Sequence, residues 1–287
     1  MKVAVVGTGR MGAAMAQRLH GAGTELVLFN RTRETAQRVA DATGAVVAAT
    51  AREAAAAADV CVVSLADDAA VVATYQGVDG LVPGLRPGTV VCDTSTVDPA
   101  TVRELAPRVA EVGAVLLDTP VSGSVPLVEQ GALTVMVGGD AAALDRVRPV
   151  LDILATTVFH LGEVSAGATM KLAVNAAVHA LNVAVSEALV LAEKAGLDRE
   201  AVYDVLEVSA VGAPFVKYKR TAFVRPDDVL VAFSLNLVAK DQELIGRLAD
   251  QVGARMEQAD ANRRLVAEAV AAGLGERDLS ALAGFLR

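Results

Sequence analysis

Lys171 and Asn175 stand four residues apart in an otherwise apolar stretch that reads Gly167-Ala-Thr-Met-Lys-Leu-Ala-Val-Asn175. Four residues is about one helical turn, so on a helix the two side chains share a face. A lysine shielded from water can have its pKa drawn down toward neutrality and exchange protons at ordinary pH, with a nearby amide to position it. An isolated Lys-x-x-x-Asn is more ordinarily a lysine whose stem lies on apolar surface while its ammonium reaches water, so the rest of the chain must decide. A second chemical signature opens the sequence, where Gly7-Thr-Gly-Arg-Met-Gly12 follows the apolar run 2–6 at once and precedes a helical run over 13–21. Between a strand and a helix this spacing suits a pyrophosphate. Gly7 permits the tight turn, Gly9 lets the anion approach the backbone, Gly12 allows close packing of helix on strand, and Arg10 and Met11 begin a helix whose N-terminus faces the anion.

Residue types after the next apolar run, 25–29, say which dinucleotide is expected. Asn30 stands where a carboxylate would bond the ribose 2'-hydroxyl of NAD, and Arg31, Thr32 and Arg33 follow it. With no acid to repel a 2'-phosphate, and with cationic and hydroxyl donors beside it, NADP(H) is favoured and NAD(H) stays open. Three further loops follow apolar runs: Leu65-Ala66-Asp67-Asp68, Thr94-Ser95-Thr96-Val97-Asp98-Pro99 and Asp118-Thr119-Pro120-Val121-Ser122-Gly123-Ser124. Each alone could cap a helix. Together they place hydroxyls and backbone amides beyond the carboxyl ends of strands, where parallel sheets bind ligands.

The elements that must hold these residues follow from the hydrophobic pattern. Apolar runs at 2–6, 25–29, 45–47, 60–64, 89–93, 115–119, 133–137 and 157–161 alternate with helical segments, which predicts a parallel or mostly parallel sheet covered by helices on both faces. From Val164 to Gly196 no proline intervenes. That stretch predicts a helix of about 30 residues, roughly 45 Å long, with Ser165 as its N-cap and Gly196 leaving it in the left-handed conformation. Apolar nearly all round, it should be buried between partners, as a spine joining two domains or two subunits. Beyond it the pattern is helical throughout: a helix after Asp198 to Val208, a loop from Ser209 to Pro214, with the stretch from Ser209 to Tyr218 expected to supply the far wall of a pocket, a helix from Phe233 to about Val252, one over 259–272, and a capped terminal helix after Asp278. Phe233 and Lys240 are two turns apart on one face, where they could meet Lys171. The expected fold class is α/β: an N-terminal Rossmann dinucleotide-binding domain over 1–162 and an all-helical domain over 163–287, joined by the long helix.

Composition narrows the function classes. The net charge of -8 is interspersed rather than blocked, which argues against a nucleic-acid surface. Hydrophobic residues make up 53% of the 287 and mean hydropathy is +0.44. Charged or strongly polar residues nonetheless break every apolar run before about 18 residues, so no membrane span is expected. The N-terminus enters a strand directly, without a basic and then apolar leader, so a cytoplasmic protein is expected. Cys61 and Cys92 lie in strand-like segments without CxxC spacing and read as packing thiols. His20, His160 and His179 are scattered, so no metal site is expected.

Five segments in register carry a resemblance that covers essentially the whole chain: Gly7 to Gly12 with Met15 and Leu19; Asp93-Thr-Ser-Thr-Val-Asp-Pro99; Asp118-Thr-Pro-Val-Ser-Gly123 with Gly131 and Val137-Gly-Gly139; Gly167 to Asn175; and Phe233 to Asp241. The chain resembles the beta-hydroxyacid dehydrogenase family, which includes 3-hydroxyisobutyrate dehydrogenases and glyoxylate/succinic semialdehyde reductases, with 6-phosphogluconate dehydrogenase as a longer relative. The resemblance implies a homodimer or homotetramer and a nicotinamide cofactor held by Gly7, Gly9, Arg10, Met11, Gly12, Asn30, Arg31, Thr32, Leu65, Ala66, Thr96 and Lys240. It gives Lys171 the catalytic role, with Asn175 positioning substrate and lysine. Ser122 and Gly123 would hold a substrate carboxylate, Thr96 and Lys240 would line the nicotinamide side, and Phe233 and Asp241 would close over it. Ser165 departs from a position usually Gly, and Val174 from one often Asn. Ser124 followed by Val125-Pro126-Leu127 looks more like the glyoxylate/succinic semialdehyde subgroup, and Asn30-Arg31-Thr32 agrees with it.

The implied reaction passes hydride between nicotinamide and a small beta-hydroxyacid, semialdehyde or keto acid, with Lys171 as general acid/base. Two rivals use the same scaffold. An imine reductase would generally replace the lysine, and a non-catalytic NADP-binding pseudoenzyme would lose it; Lys171 counts against both.

Overall fold

Valine dominates the first strands, and valine runs without polar alternation belong in a sheet buried on both faces. The computed structural model describes residues 1–226 and 231–287, which form two units, Met1–Lys171 and Leu172–Arg287. The first begins β1 (Lys2–Val6), α1 (Arg10–Gly21), β2 (Glu25–Phe29), α2 (Arg33–Thr43), β3 (Val46–Val47), α3 (Ala51–Ala56) and β4 (Val60–Val63). It goes on through α4 (Asp68–Tyr75), β5 (Val90–Asp93), α5 (Pro99–Glu111) and β6 (Val115–Asp118). These six strands pair in parallel in the order β3-β2-β1-β4-β5-β6. That is the doubly wound dinucleotide-binding order, whose direction of winding reverses between β1 and β4 and opens the ligand crevice there.

Alternate side chains enter opposite cores, as a period of two requires. Val3, Val5, Val60, Val62 and Cys92 pack on one face with Met15 and Leu19 of α1, and Ala4, Val6, Cys61, Val63 and Val91 on the other with Tyr75 and Leu105. Cys61 and Cys92 are free and buried. Burial pushes the Cys61 thiol up to about 12 and the Cys92 thiol up as well.

The last part of the unit departs from a single sheet. β7 (Val121–Ser122), α6 (Val125–Glu129), β8 (Leu133–Val137), α7 (Ala141–Leu154) and β9 (Ala155–His160) follow, and β7-β8-β9 form a separate small sheet, antiparallel and then parallel. The apolar runs at 133–137 and 157–161 therefore belong here, not to the main sheet. β8 attaches through an isolated bridge between Asp118 and Gly138.

The long helix is α8 (Ala166–Lys194), 29 residues, ending before Gly196 at φ 94. Its start differs from a Ser-capped helix. Ser165 lies in the left-handed region at φ 81, its hydroxyl accepts from Arg103 at 2.8 Å, and the first-turn amides are held by Asp118 instead. By length and composition α8 could cross a membrane. Its buried face, however, carries Asn175, His179, Asn182 and Ser186, a polar row spaced four, three and four residues apart, which marks a core helix. Nor is it buried all round: Met170 and Leu191 are exposed.

The second unit continues with α9 (Arg199–Val208), α10 (Pro214–Val224), α11 (Leu235–Val252), α12 (Glu257–Ala269) and α13 (Leu282–Phe285). Asp198, Ser234 and Asp278 accept capping bonds, the first two on α9 and α11 and the last on the short turn before α13. The predicted loop from Ser209 ends at Ala213, because Pro214 occupies the first turn of α10, where its missing N–H costs nothing, and the expected pocket-wall stretch to Tyr218 is helical from there. Tyr203, Phe215, Phe223, Leu235 and Leu282 fill the core.

Candidate active site

The glycine turn after β1 is held from two sides. Gly7 takes φ 91 and donates its N–H to Phe29 O at 2.8 Å, and a Cβ on Gly12 would run into Gly7 O. That approach lets α1 start immediately above the turn. α1 has no side-chain cap and no acidic residue in its first turn, and space is open above Gly9. Thr8 is 2% exposed and its hydroxyl has no protein partner. An uncapped helix N-terminus, an open glycine and an orphaned hydroxyl fit the pyrophosphate of a dinucleotide. Arg10 is exposed and Met11 half-buried beside them.

Asn30 closes the turn. Its Oδ1 accepts the Thr8 N–H at 3.0 Å and its Nδ2 donates to Thr32 O at 3.0 Å. The side chain therefore brackets the glycine turn to the end of β2. Arg31 and Thr32 are exposed at that end, and Thr32 makes no capping bond to α2.

Across the switch point, the loops after β4 and β5 are welded together. The Leu65 N–H donates to Ser95 Oγ at 3.0 Å. The Ser95 N–H donates to Asp93 Oδ1 at 2.9 Å, and Tyr75 Oη donates to Asp93 Oδ2 at 2.7 Å. Asp68 Oδ1 accepts from the Asp98 N–H and from Thr101 Oγ1. Burial raises the pKa of Asp93 despite the Ser95 and Tyr75 bonds, and burial also raises that of Tyr75. This network fixes the backbone that carries exposed Ala66 and half-buried Leu65 and Thr96. Ser95 was legible only as a loop residue and Asp93 only as a strand end, because a hydroxyl bonded 30 positions away leaves no local signature.

Ser122 ends β7 with its side chain half-buried, and Gly123 follows at φ 137, where a Cβ would lie 2.7 Å from Leu133 Cδ2. Lys171 sits in the second turn of α8, half-buried. Asp118 sets where that helix begins: its Oδ1 accepts the Ser165 N–H and its Oδ2 the Ala168 N–H, both at 2.7 Å. Burial raises the Asp118 pKa while these backbone N–H groups pull it down. A carboxylate against the positive end of α8 is the favourable sign.

In the second unit the structure brings Asn175, Phe233, Lys240 and Asp241 to one cluster. Asn175 Nδ2 donates to Asp241 Oδ2 at 2.6 Å, and Lys240 Nζ lies 3.0 Å from Asp241 Oδ1. A residue that sequence reading passed over joins them: His179 Nε2 is 3.4 Å from Asp241 Oδ2, and its ring stacks on Phe233 with centroids 6.0 Å apart. The available signal was its position one turn beyond Asn175.

Comparison with known proteins agrees with both halves. Residues 2–162 match the model of the NAD binding domain of 6-phosphogluconate dehydrogenase, and 165–286 that of the NAD-binding domain of NADP-dependent 3-hydroxyisobutyrate dehydrogenase. The chain is 32% identical over 282 residues to glyoxylate/succinic semialdehyde reductase 2 of Arabidopsis thaliana, covering 98% of this chain and 78% of that protein. The 3-hydroxyisobutyrate dehydrogenase of Mycobacterium tuberculosis, solved with L-serine, superposes with a TM-score of 0.86 at 32% identity, covering 100% of this chain and 99% of that one. Psf3, solved with NADP+ and 2-OPP, gives 0.92 at 27% identity, covering 99% of this chain and 100% of that one. With a dinucleotide-binding strand order, a glycine turn shaped for pyrophosphate and family matches over both units, this chain belongs to the beta-hydroxyacid dehydrogenase family of NAD(P)-dependent oxidoreductases.

Proposed function

We propose that the chain is an NADPH-preferring reductase of small carboxylate-bearing aldehydes or keto acids, the reverse reaction being dehydrogenation of the beta-hydroxyacid, with Lys171 as general acid/base. The observation that carries this is Lys171 itself: half-buried, on a helix whose first turn is pinned by Asp118, in the same unit as the glycine turn. Exposed Arg31 and Thr32 beside Asn30 support the 2'-phosphate preference.

When bound, the reduced nicotinamide supplies the hydride. The Gly9 turn and the N-terminus of α1 would hold the pyrophosphate, and the Leu65, Ala66 and Thr96 loops would bound the nicotinamide side. The Ser122 hydroxyl and the Gly123 N–H bond the substrate carboxylate. As the carbonyl carbon gains hydride, its π pair moves onto oxygen, and the Lys171 ammonium stabilises that charge and gives up a proton. The neutral amine then regains a proton from solvent. Asn175 orients substrate and lysine, with Phe233 and Asp241 behind it.

We also propose a homo-oligomer. Leu191, Leu197, Val205 and Val208 leave large apolar side chains exposed in the second unit, Val208 at 87%, which a second copy would cover.

Initial rates with NADPH and NADH against glyoxylate, succinic semialdehyde, methylmalonate semialdehyde and a cyclic imine, each repeated with Lys171→Ala, test the reading. Carbonyl turnover with NADPH that falls by about 10²- to 10⁴-fold in the variant, with NADPH binding unchanged, is the expected result. Turnover of the imine alone, or undiminished turnover in Lys171→Ala, would overturn it.

A further inference from the structure

His179 is a buried imidazole that the proposed reaction does not use. It is 3% exposed, and neither ring nitrogen makes a hydrogen bond of good geometry to protein. Its Nε2 nevertheless lies 3.4 Å from Asp241 Oδ2, and its ring stacks on Phe233. Asp241, 1% exposed, is thus approached on one oxygen by Lys240 and on the other by Asn175 and His179 together.

The chemistry of the acceptor decides which way Asn175 faces. An ionised carboxylate accepts and cannot donate, so the amide atom 2.6 Å from Asp241 must be the NH₂ group. The Asn175 carbonyl is thereby turned away from Asp241. An amide presenting oxygen can accept from a hydroxyl or an ammonium, and one presenting NH₂ cannot. The orientation matters for any role of Asn175 toward substrate or Lys171.

We propose that His179 is a positioning residue: from 3.4 Å its Nε2–H holds the Asp241 carboxylate in the rotamer that locks the Asn175 amide with its oxygen outward. The proposal rests on the reading of Asn175 as a substrate-positioning group, and extends it to a residue that touches neither substrate nor cofactor. Two oxygens of one carboxylate must serve Lys240, Asn175 and His179. Removing the imidazole takes away the neighbour beside Asp241 Oδ2, and the Asn175 amide is then held less firmly.

The pair His179→Leu and His179→Gln tests this. Leucine keeps apolar volume and removes the donor; glutamine carries an N–H donor at about the reach of Nε2. His179→Leu should lower kcat by about tenfold to a hundredfold, in line with the cost of misplacing a positioning group. NADPH affinity should stay within about twofold, since the glycine turn is untouched. His179→Gln should restore most of the lost rate. Wild-type kcat in His179→Leu, or equal losses in the two variants, would overturn the proposal.

Imidazole NMR of ¹⁵N-histidine-labelled protein gives a readout independent of turnover and of how the leucine variant folds. The His179 Nε2 should carry a slowly exchanging proton whose resonance moves in Asp241→Asn. A bare Nε2, or a resonance indifferent to Asp241, would overturn the proposal. Undiminished turnover in Lys171→Ala would instead strike the acid assignment and leave the NMR result standing.

Discussion

Asn30 does two jobs that pull against any change there. Its Oδ1 receives the Thr8 N–H and its Nδ2 reaches Thr32 O, so it is part of the turn as well as the residue beside the proposed 2'-phosphate. Asn30→Asp keeps the acceptor for Thr8 and adds a negative charge. NADPH should then bind at least about tenfold more weakly, the scale of a single unfavourable charge contact of about 1.4 kcal/mol, while NADH loses little. Titration of both cofactors checks this, and equal weakening would mean that Asn30 acts through the turn alone. At this scale the sequence was most readable where chemistry is local. Gly7 to Gly12 and Lys171 with Asn175 are recognisable because their short spacing is itself the signature. His179 and Asp118 were not, since the first looks like a stray histidine and the second bonds residues 47 and 50 positions on.

Among the elements, α8 depends on a cap that comes from another strand. Asp118→Ala would strand the Ser165 and Ala168 N–H groups, each bonded to a charged acceptor and buried. Charge-assisted bonds of that kind are worth about 1.5–3 kcal/mol each, so a loss near 3 kcal/mol is expected, read as a lower melting temperature. The rate should fall too, because Lys171 rides one turn beyond the helix end that Asp118 fixes. A variant with wild-type stability would show that the cap is redundant. The strands of the main sheet were legible because β1, β2, β4, β5 and β6 are continuous apolar runs. The small sheet was not, because β7 is two residues long and pairing, not pattern, defines it. α10 is not legible in the pattern because Pro214 signals a break, whereas the proline sits where a helix tolerates it.

For the molecule as a whole, one buried pair contributes to the response to acid. Lys219 Nζ lies 2.7 Å from Asp278 Oδ2, and the same carboxylate oxygen receives the Ala232 and Phe233 N–H groups. Burial by itself would raise the Asp278 pKa, but the Lys219 ammonium and the backbone donors outweigh it and hold the carboxyl below its usual value. A folded value below the unfolded one means stability that is fully present above about pH 4, the ordinary carboxylate value, and lost as pH falls through the native value. Melts taken from neutrality into acid should show this loss, and Asp278→Asn should flatten it. Breaking the pair from the other side with Lys219→Met should destabilise by about 3–5 kcal/mol at neutral pH. Sedimentation at neutral pH should likewise give a multiple of the 29.4 kDa chain, and Val208→Asp should shift it toward that mass.

Cys61 and Cys92 lie on opposite faces of the parallel sheet, with thiols that burial keeps protonated at neutral pH. Alkylating reagents need a thiolate, so neither sulfur reacts until the sheet opens. The pair is therefore a built-in meter of breathing in the nucleotide-binding half. Its labelling rate reads the opening equilibrium, and NADPH at 100 times its Kd should slow that rate about a hundredfold.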